Sequence, residues 1–504
     1  MSTKIWSAAL NGLDAVIVAV EADSGGGDFG QITIVGLPDA AVSEAKERVK
    51  SALRHCGLTF PRRKITVNLA PADLKKHGPA YDLPIAISIL ALKNKFLFDF
   101  SQCLMVGELS LAGEIRPVNG ILAMVMAAKQ AGIKYLFLPL ANTAEAQLIT
   151  GLKIYPVANL KQLIKHFKKK ELLSPADIKI NPTPREKIIF DLTEIRGQEK
   201  AKRALEISAA GGHNILLFGS PGSGKTLLAK TMPGILPRLT LGERLEVTKI
   251  YSAAGELKDN GSLISSRPFR APHHSASGAA LIGGGAWPRP GEISLAHRGV
   301  LFLDEFPEFS RSALENLRQP LEEGVISINR AAGCLQFPAK FILLAAMNPC
   351  PCGYLGDEKQ ICHCEQKQII NYRRRLSGPI IDRIDLHVET PRLNLEKLKL
   401  KDKEGESSLT VRHRIDQARS RQTRRFKKLN FLTNAEMTNA AIKDFCYLDE
   451  SSLRFLATAS EKLNLSLRSY FRILKLARTI ADLADENHIL VGHIAEALQY
   501  RPKL

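Results

Sequence analysis

The residues at 219–226 read GSPGSGKT, and their types and spacing could bind the phosphates of a nucleotide. The pattern GxxxxGK[ST] lets backbone N–H groups curl around phosphate oxygens, while its lysine neutralises the β- and γ-phosphates. Lys225 is that lysine, and the Thr226 hydroxyl would ligate Mg²⁺. We therefore predict ATP binding by one contiguous loop, which consists of Gly219, Ser220, Pro221, Gly222, Ser223, Gly224, Lys225 and Thr226.

Two acids and an amide each follow an apolar run further along the chain. The run GVLFL is followed by Asp304 and Glu305, and the run FILLAAM is followed by Asn348. Asp304 would hold Mg²⁺ together with Thr226, and Glu305 would polarise the attacking water. The Asn348 side chain would orient that water toward the γ-phosphate. This set predicts an enzyme that hydrolyses ATP, with Lys225, Asp304, Glu305 and Asn348 as catalytic residues.

The elements that must position these residues are also readable. The run NILLF before the loop is typical of a buried strand, and LLAKTM after it is typical of a helix. Pro-containing and charged polar segments flank this α/β core and mark its boundaries. The predicted organisation is a first domain at 1–175, a linker at 176–190, a nucleotide-binding α/β core at 191–395, a linker at 396–410 and a helical domain at 411–504.

Composition and charge indicate a globular protein with a polyanionic partner. The chain has 504 residues, of which 45% are hydrophobic, and its 70 Lys and Arg against 51 Asp and Glu give a net charge of +19. Its apolar runs fall short of the roughly 18 to 20 residues that span a membrane, so we expect a cytoplasmic protein without a membrane partner. The densest basic run begins at Arg412 and reads RHRIDQARSRQTRRFKK; a solvated helix is the alternative to a nucleic-acid surface there.

Four of the eight cysteines form a cluster, at Cys350, Cys352, Cys362 and Cys364. Clustered cysteines in a cytoplasmic chain indicate a metal rather than disulfides, so a structural zinc ion is predicted. The C-x-C spacing is tighter than the usual C-x₂-C, which leaves plain reduced thiols as the alternative. A metal at this position would brace the segment that leads to Arg383.

Several longer strings closely resemble the magnesium-chelatase-like family of AAA+ ATPases. They are RPFRAPHHSAS, ALIGGGAWPRPGEISLAHRGVLFLDE, ALENLRQPLEEG, AAMNPCPCGY and GPIIDRIDLHV, and the resemblance extends over nearly the whole chain. It implies a ring-forming homo-oligomer, expected to be a hexamer, in which Arg383 reaches a neighbour's γ-phosphate as an arginine finger. It also implies a C-terminal helical lid whose sensor is Arg468, with Arg472 as the alternative.

Two inserts bear on the partner. The segment SGAALIGGGAWPRPGE, with Trp287 and Arg289, resembles the helix-2 insert of this family, and VISINRAAGCLQFPA resembles the presensor hairpin of related helicases. The residues at the tip of that hairpin would be Asn329, Arg330, Ala331 and Ala332. A cation at such a tip can grip a phosphate without reading sequence, so we predict DNA contacts by Arg289, Asn329 and Arg330. Structural packing between subunits is the alternative role of both inserts.

The first domain resembles the proteolytic domain of Lon, through GELSLAGEIRPVNG, ILAMVMAAKQAGIKYLFLP and LKKHGPAYDLPIAI. That family uses a serine–lysine dyad. Ala80 and Tyr81 stand at the place of the serine, and Leu122 and Ala123 stand at the place of the lysine. No acyl intermediate can form without the nucleophile. We therefore predict a catalytically inactive α+β domain that serves as a collar for DNA or protein partners.

Three classes of function fit the family resemblance. The predicted one is an ATP-driven DNA motor, a helicase or branch-migration translocase that promotes integration of DNA by homologous recombination in natural transformation. Its partners would be single-stranded and branched DNA and recombination proteins. The alternatives are a metal-insertion ATPase subunit of the magnesium-chelatase type and an ATP-driven protein remodeller. The sequence offers no obvious porphyrin site and no aromatic residue in the hairpin to grip unfolded peptide, which disfavours both alternatives.

Overall fold

A computed structural model of the chain describes residues 2–25, 30–61, 63–94, 96, 98–177, 189–257, 263–285, 289–330, 333–357, 359–392, 405–429 and 431–501. These residues form two compact units: unit 1 comprises Met1–Pro184 and Arg244–Ile264, and unit 2 comprises Arg185–Glu243 and Ser265–Leu504. Most of both predicted linkers lies outside the described residues. Among the described residues, no helix combines the length and apolar character needed to cross a membrane.

Unit 1 is built on a seven-stranded mixed sheet in the order β3-β4-β2-β1-β5-β8-β9. Its elements up to residue 167 are β1 (Ser2–Asn11), β2 (Asp14–Gly25), β3 (Ile32–Val35), α1 (Ala40–His55), β4 (Lys64–Ala70), α2 (Asp82–Lys93), β5 (Cys103–Met105), β6 (Glu108–Leu109), β7 (Ile115–Arg116), α3 (Ile121–Gln130), β8 (Tyr135–Pro139), α4 (Thr143–Ala146), β9 (Lys153–Val157) and α5 (Leu160–Phe167). The β1-β2 and β2-β4 pairs are antiparallel, and the other pairs of this sheet are parallel.

The positions that correspond to the catalytic serine and lysine of Lon proteases lie inside unit 1. Ala80 and Tyr81 are buried just before helix α2, and Leu122 and Ala123 are buried in the first turn of α3. Ala80, Leu122 and Ala123 have no nucleophilic or basic group, and burial raises the pKa of the Tyr81 hydroxyl. Unit 1 therefore has packing residues where a Lon protease has its catalytic groups.

Unit 2 is built on a five-stranded parallel sheet in the order β11-β14-β17-β10-β18. The elements after α5 are α6 (Glu199–Gly211), β10 (Ile215–Phe218), α7 (Lys225–Ile235), α8 (Leu241–Ala254), β11 (Phe269–Arg270), α9 (Gly278–Ile282), β12 (Gly283–Gly284), β13 (Arg289–Pro290), α10 (Glu292–Leu295), β14 (Val300–Leu303), α11 (Arg311–Glu315), α12 (Arg318–Glu323), β15 (Val325–Arg330), β16 (Gly333–Pro338), β17 (Ile342–Met347), α13 (Gln366–Arg374), α14 (Gly378–Ile381), β18 (Leu386–Glu389), α15 (Ser408–Arg425), α16 (Asn439–Phe445), α17 (Glu450–Lys462), α18 (Leu467–Leu483) and α19 (Val491–Leu498). The structure thus confirms a mixed α/β architecture with a parallel sheet.

The central strands of unit 2 are continuous apolar runs, and they end together at one edge of the sheet. Strands β14 and β17 are buried at every position, as parallel strands covered on both faces are. In the register of the sheet Phe218 lies opposite Met347, and Leu303 lies opposite Ala345. The residues that follow these strands are therefore neighbours at the carboxyl edge, where open α/β sheets bind ligands.

The segment Arg244–Ile264 folds with unit 1 although the chain on either side of it belongs to unit 2. It contains most of helix α8. Near the end of that helix, the Ser252 hydroxyl donates to the buried carboxylate of Glu145, which also accepts the backbone N–H of Leu122 at 2.9 Å. The predicted core range 191–395 thus includes a segment that completes unit 1.

The basic run from Arg412 forms most of helix α15, and its arginines bind partners inside unit 2. The contacts join Arg412 to the Pro233 carbonyl, Arg414 to Glu206 and Glu406, Arg419 to the Ala209 carbonyl, Arg421 to Asp485, and Arg425 to Asp482. Burial lowers the pKa of Arg419 to about 10. These five side chains pair within unit 2, whereas Arg424, Lys427 and Lys428 of the same run are exposed.

Candidate nucleotide-binding site

The segment GSPGSGKT connects β10 to helix α7, which begins at Lys225. Gly222 and Gly224 have φ angles of 74° and 88°, in the left-handed region that favours glycine. A Cβ atom on either residue would meet no heavy atom within 4 Å, so backbone conformation rather than crowding requires glycine at both positions. Such a loop ahead of a helix presents consecutive backbone N–H groups to a phosphate.

The Lys225 ammonium group is buried against this loop. It donates to the carbonyl oxygens of Gly219 and Ser220 at 2.7 and 2.9 Å and lies 3.3 Å from Oδ1 of Asn348. Burial lowers the pKa of Lys225, and the nearby carboxylate of Asp304 opposes that shift. Residues from the ends of three strands therefore converge on one lysine.

Thr226 and Asp304 are also brought together. Oγ1 of Thr226 donates to Oδ2 of Asp304 at 2.9 Å, and the other carboxylate oxygen accepts the backbone N–H of Glu305 at 2.9 Å. A hydroxyl and a carboxylate are oxygen donors of the kind that Mg²⁺ takes alongside nucleotide phosphates. The donor set fits a magnesium ion bound together with ATP.

Glu305 pairs with a residue that sequence reasoning missed. Its Oε2 lies 3.0 Å from Nδ1 of His274, and the rings of His273 and His274 are 4.1 Å apart between centroids. From sequence these histidines look like core or loop contacts. Their position after the edge strand β11 was the available signal, because that strand pairs in parallel with β14, which leads to Asp304. His274 is thus placed to orient the acid that would polarise water.

The four clustered cysteines converge directly after Asn348. Their sulfur atoms all lie within 4.8 Å of one another. The Sγ–Sγ distances are 3.4 Å between Cys350 and Cys352, 3.7 Å between Cys350 and Cys362, and 3.6 Å between Cys352 and Cys362. Zinc–sulfur bonds of about 2.3 Å in a tetrahedron would separate the sulfurs by about 3.8 Å. With Cys364 as the fourth thiol, the donor set fits zinc despite the tight C-x-C spacing.

The cysteine segment also packs against the phosphate-binding loop. Gly353 has a φ of 85°, and a Cβ atom there would lie only 2.6 Å from ring carbons of Pro221. Any side chain at this position would have to displace the loop, because real Cβ contacts are longer than 3.0 Å. The cysteine cluster and the phosphate-binding loop are therefore direct neighbours.

The arginines assigned by the family resemblance lie at the amino edge of the sheet, away from Lys225. Arg383 precedes β18; its side chain is only 6% exposed, forms an ion pair with Glu322 and donates to the Pro379 carbonyl. Arg468 begins helix α18, is half exposed and lies 3.8 Å from the same Glu322 carboxylate. Burial and the charge of Arg468 both lower the pKa of Arg383. The two guanidinium groups therefore share one carboxylate.

Arg472 has a different environment from Arg468. It is buried, and it donates to the carbonyl of Ile384 at 3.1 Å and to the carbonyl of Asp382. Its Nε also lies 3.4 Å from the carboxylate of Asp385. Arg472 thus fixes the backbone on both sides of Arg383.

The residues predicted to contact DNA lie on two antiparallel ladders. Arg289 is exposed in β13, which pairs with β12, and Asn329 is exposed in β15, which pairs with β16. The segment predicted as a hairpin, 325–339, contains this antiparallel pair of β15 and β16. Some of the residues named in these predictions lie outside the described part of the chain. They are Trp287, Ala331 and Ala332, together with the side chain of Arg330.

Three family models match successive segments of the chain, and whole proteins match it from end to end. The family model described as Magnesium chelatase, subunit ChlI matches residues 191–398; those for Subunit ChlI of Mg-chelatase and Magnesium chelatase, subunit ChlI C-terminal match 20–142 and 405–501. The chain is 44% identical over 503 residues to the Competence protein ComM of Haemophilus influenzae, which covers 99% of this chain and 97% of that protein. The chain belongs to the ComM-type magnesium-chelatase-like family.

Other relatives extend this assignment. The YifB protein of Salmonella typhimurium, another relative of this magnesium-chelatase-like chain, is 42% identical over 505 residues, covering 99% of this chain and 96% of that protein. Lon protease 2 of Bacillus subtilis is 29% identical over 119 residues, or 23% of this chain and 21% of that protein, so the likeness to Lon is partial. As a member of the magnesium-chelatase-like family, the chain is an ATPase that uses ATP and Mg²⁺.

Proposed function

We propose that this ATPase is a ring-forming DNA motor that drives branch migration or unwinding when incoming DNA is recombined during natural transformation. The observation that carries the proposal is the end-to-end likeness to Competence protein ComM at 44% identity. The hairpin of β15 and β16, with exposed Asn329, supports a nucleic-acid contact. The proposed assembly is a hexamer that works beside recombination proteins.

The proposed hydrolysis step follows from the side chains at the carboxyl edge. Lys225 would leave the carbonyls of its own loop to bind the β- and γ-phosphates, and Asn348, 3.3 Å from it, would orient water at the γ-phosphate. Glu305, held by His274, would polarise that water. Magnesium bound by Thr226 and Asp304 would neutralise charge on the phosphates.

The proposed role of Arg383 requires a second subunit. It lies at the amino edge of the sheet, whereas Lys225 lies at the carboxyl edge, so the finger would serve the nucleotide of a neighbouring chain. Arg468 shares the Glu322 carboxylate with Arg383 and therefore suits the same phosphate. Arg472 is committed to backbone carbonyls, which leaves Arg468 as the better candidate for the sensor.

DNA should stimulate ATP turnover several-fold if the hairpin couples DNA to the ATPase. We expect single-stranded DNA or a four-way junction to raise the rate of the wild-type protein. Arg330→Ala should keep the basal rate and lose the stimulation, because a tip cation would grip the phosphate backbone. The matched control is Arg454→Ala, an exposed arginine paired with Glu450 on helix α17, which should keep both rates. Turnover that ignores every form of DNA would contradict the motor and direct the search to a protein partner.

We also propose a structural zinc ion at Cys350, Cys352, Cys362 and Cys364. Purified protein should contain about one zinc ion per chain, measured by elemental analysis. Cys352→Ser should lose the zinc and lower Tm by roughly 5 °C or more, since ion binding stabilises the folded state directly. Cys334→Ser, at an exposed cysteine outside the cluster, should retain both zinc and Tm. Metal-free protein with four freely reactive thiols would show the cluster to be plain reduced cysteine.

A further inference from the structure

The carboxylate of Glu322 is the anion on which Arg383 and Arg468 converge. Its carboxylate pairs with Nη2 of Arg383 and lies 3.8 Å from Nη2 of Arg468. All three residues line a cavity of about 960 Å³. A γ-phosphate that binds these two Nη atoms would take the place of this carboxylate, because both atoms already face Glu322.

The side chain of Arg383 must also move before it can act on another subunit. It is 6% exposed, and its other Nη atom donates to the Pro379 carbonyl. The backbone on either side is fixed by Arg472, which binds the carbonyls of Asp382 and Ile384. The two contacts that hold the Arg383 guanidinium group are therefore the ion pair with Glu322 and the bond to the Pro379 carbonyl.

Along the chain, Glu322 belongs to the helix that leads into the hairpin of β15 and β16. It lies in the last turn of α12, and β15 begins two residues after that helix ends. Helix and strand are bonded through Gln319, whose amide donates to Oγ of Ser327 at 3.2 Å and whose Oε1 accepts the Ser327 backbone N–H at 3.4 Å. Glu322 and the hairpin are thus connected through one short helix.

We propose that Glu322 is a positioning residue that restrains Arg383 and Arg468 until DNA engages the hairpin. This inference rests on the proposed DNA motor and explains how its DNA contact would regulate the arginine finger. Movement of β15 draws α12 away, the carboxylate leaves both guanidinium groups, and they become available to a neighbour's γ-phosphate. ATP turnover then depends on DNA because one acid connects the two sites.

The test is Glu322→Gln, which keeps the shape of the side chain and removes its charge. We expect the rate without DNA to rise by up to about five-fold, the range set by half-exposed ion pairs, and the ratio of DNA-stimulated to basal rate to fall accordingly. Glu450→Gln is the control, since this exposed acid pairs with Arg454 on helix α17 and should leave both rates unchanged. A purely structural defect would lower the basal rate instead of raising it.

A double variant separates the restraint from other effects. Glu322→Gln combined with Arg383→Ala should turn over ATP no faster than Arg383→Ala alone, because the released group is missing in both. If wild-type turnover responds to DNA while Glu322→Gln has the wild-type basal rate, the restraint is refuted and the motor stands. If wild-type turnover does not respond to DNA, the motor itself fails. A raised basal rate that persists in the double variant also refutes the restraint.

Discussion

Lys225→Ala is expected to lower ATP turnover by at least about 100-fold while the protein stays folded. The ammonium group is the cation closest to the phosphate-binding loop, where it contacts the Gly219 and Ser220 carbonyls and Asn348. Its loss removes the charge that would neutralise the γ-phosphate in the transition state. Folding should tolerate the change, because burying the ammonium group carries a desolvation cost, which also lowers the pKa of Lys225.

The measurement is steady-state ATP hydrolysis together with a thermal melt. Lys230→Ala is the matched control, since Lys230 lies on the same helix and stacks over the Phe190 ring at 5.2 Å. That variant should keep wild-type turnover. A Lys225→Ala protein that retains more than about a tenth of wild-type turnover would contradict the site at the carboxyl edge of the sheet.

Arg383→Ala is expected to lower turnover by about 10³-fold, the lower end of what an arginine finger contributes. The loss should act in trans, because Arg383 and Lys225 lie at opposite edges of the parallel sheet. The defining measurement mixes inactive Arg383→Ala chains with inactive Lys225→Ala chains. Some interfaces in a mixed ring pair an intact loop with an intact arginine, so activity should reappear on mixing.

The control for that mixing is each single variant alone, measured at the same total protein concentrations. Recovery should be greatest near equal amounts of the two chains and should vanish at either extreme. Absence of recovery, in rings that demonstrably exchange subunits, would place the arginine and the nucleotide on one chain. Activity of Arg383→Ala alone near the wild-type rate would remove Arg383 from the mechanism.

The local parts of the site could be predicted from sequence, since each depends on a contiguous string. The loop at 219–226, the acids after β14 and Asn348 after β17 all follow apolar strands whose parallel pairing brings them together. His274 could not be assigned in this way, because its role depends on a contact with Glu305 that lies outside its own segment. Long-range side-chain pairs of this kind carry no periodic signal.

The charged residues illustrate the same limit. Eight Lys or Arg in the run from Arg412 suggest a surface for a polyanion, yet the fold directs arginines of α15 into partners within unit 2. Glu322 lies in the string ALENLRQPLEEG, but its proposed role becomes visible only because two arginines meet at its carboxylate. Net charge indicates the class of partner but does not identify the side chains that bind it.

The cysteine cluster was predictable as a group but not as a geometry. Spacing alone left the C-x-C pair in doubt, because the reach of two side chains separated by one residue depends on the turn between them. The structure brings Sγ of Cys350 and Cys352 to 3.4 Å, and Gly353 then allows the segment to approach Pro221. The proximity of cluster and loop follows from tertiary packing.

Because Arg244–Ile264 belongs to unit 1, this unit is still incomplete when residue 184 has been translated. A ribosome completes Met1–Pro184 and must then translate the phosphate-binding loop and helix α7 before α8 emerges to complete the first unit. Until then the acid at Glu145 lacks Ser252, its hydroxyl donor. A gene fragment that stops near residue 184 encodes an incomplete domain, and a chain that starts there carries a helix without its partner. The two units are therefore interleaved along the gene.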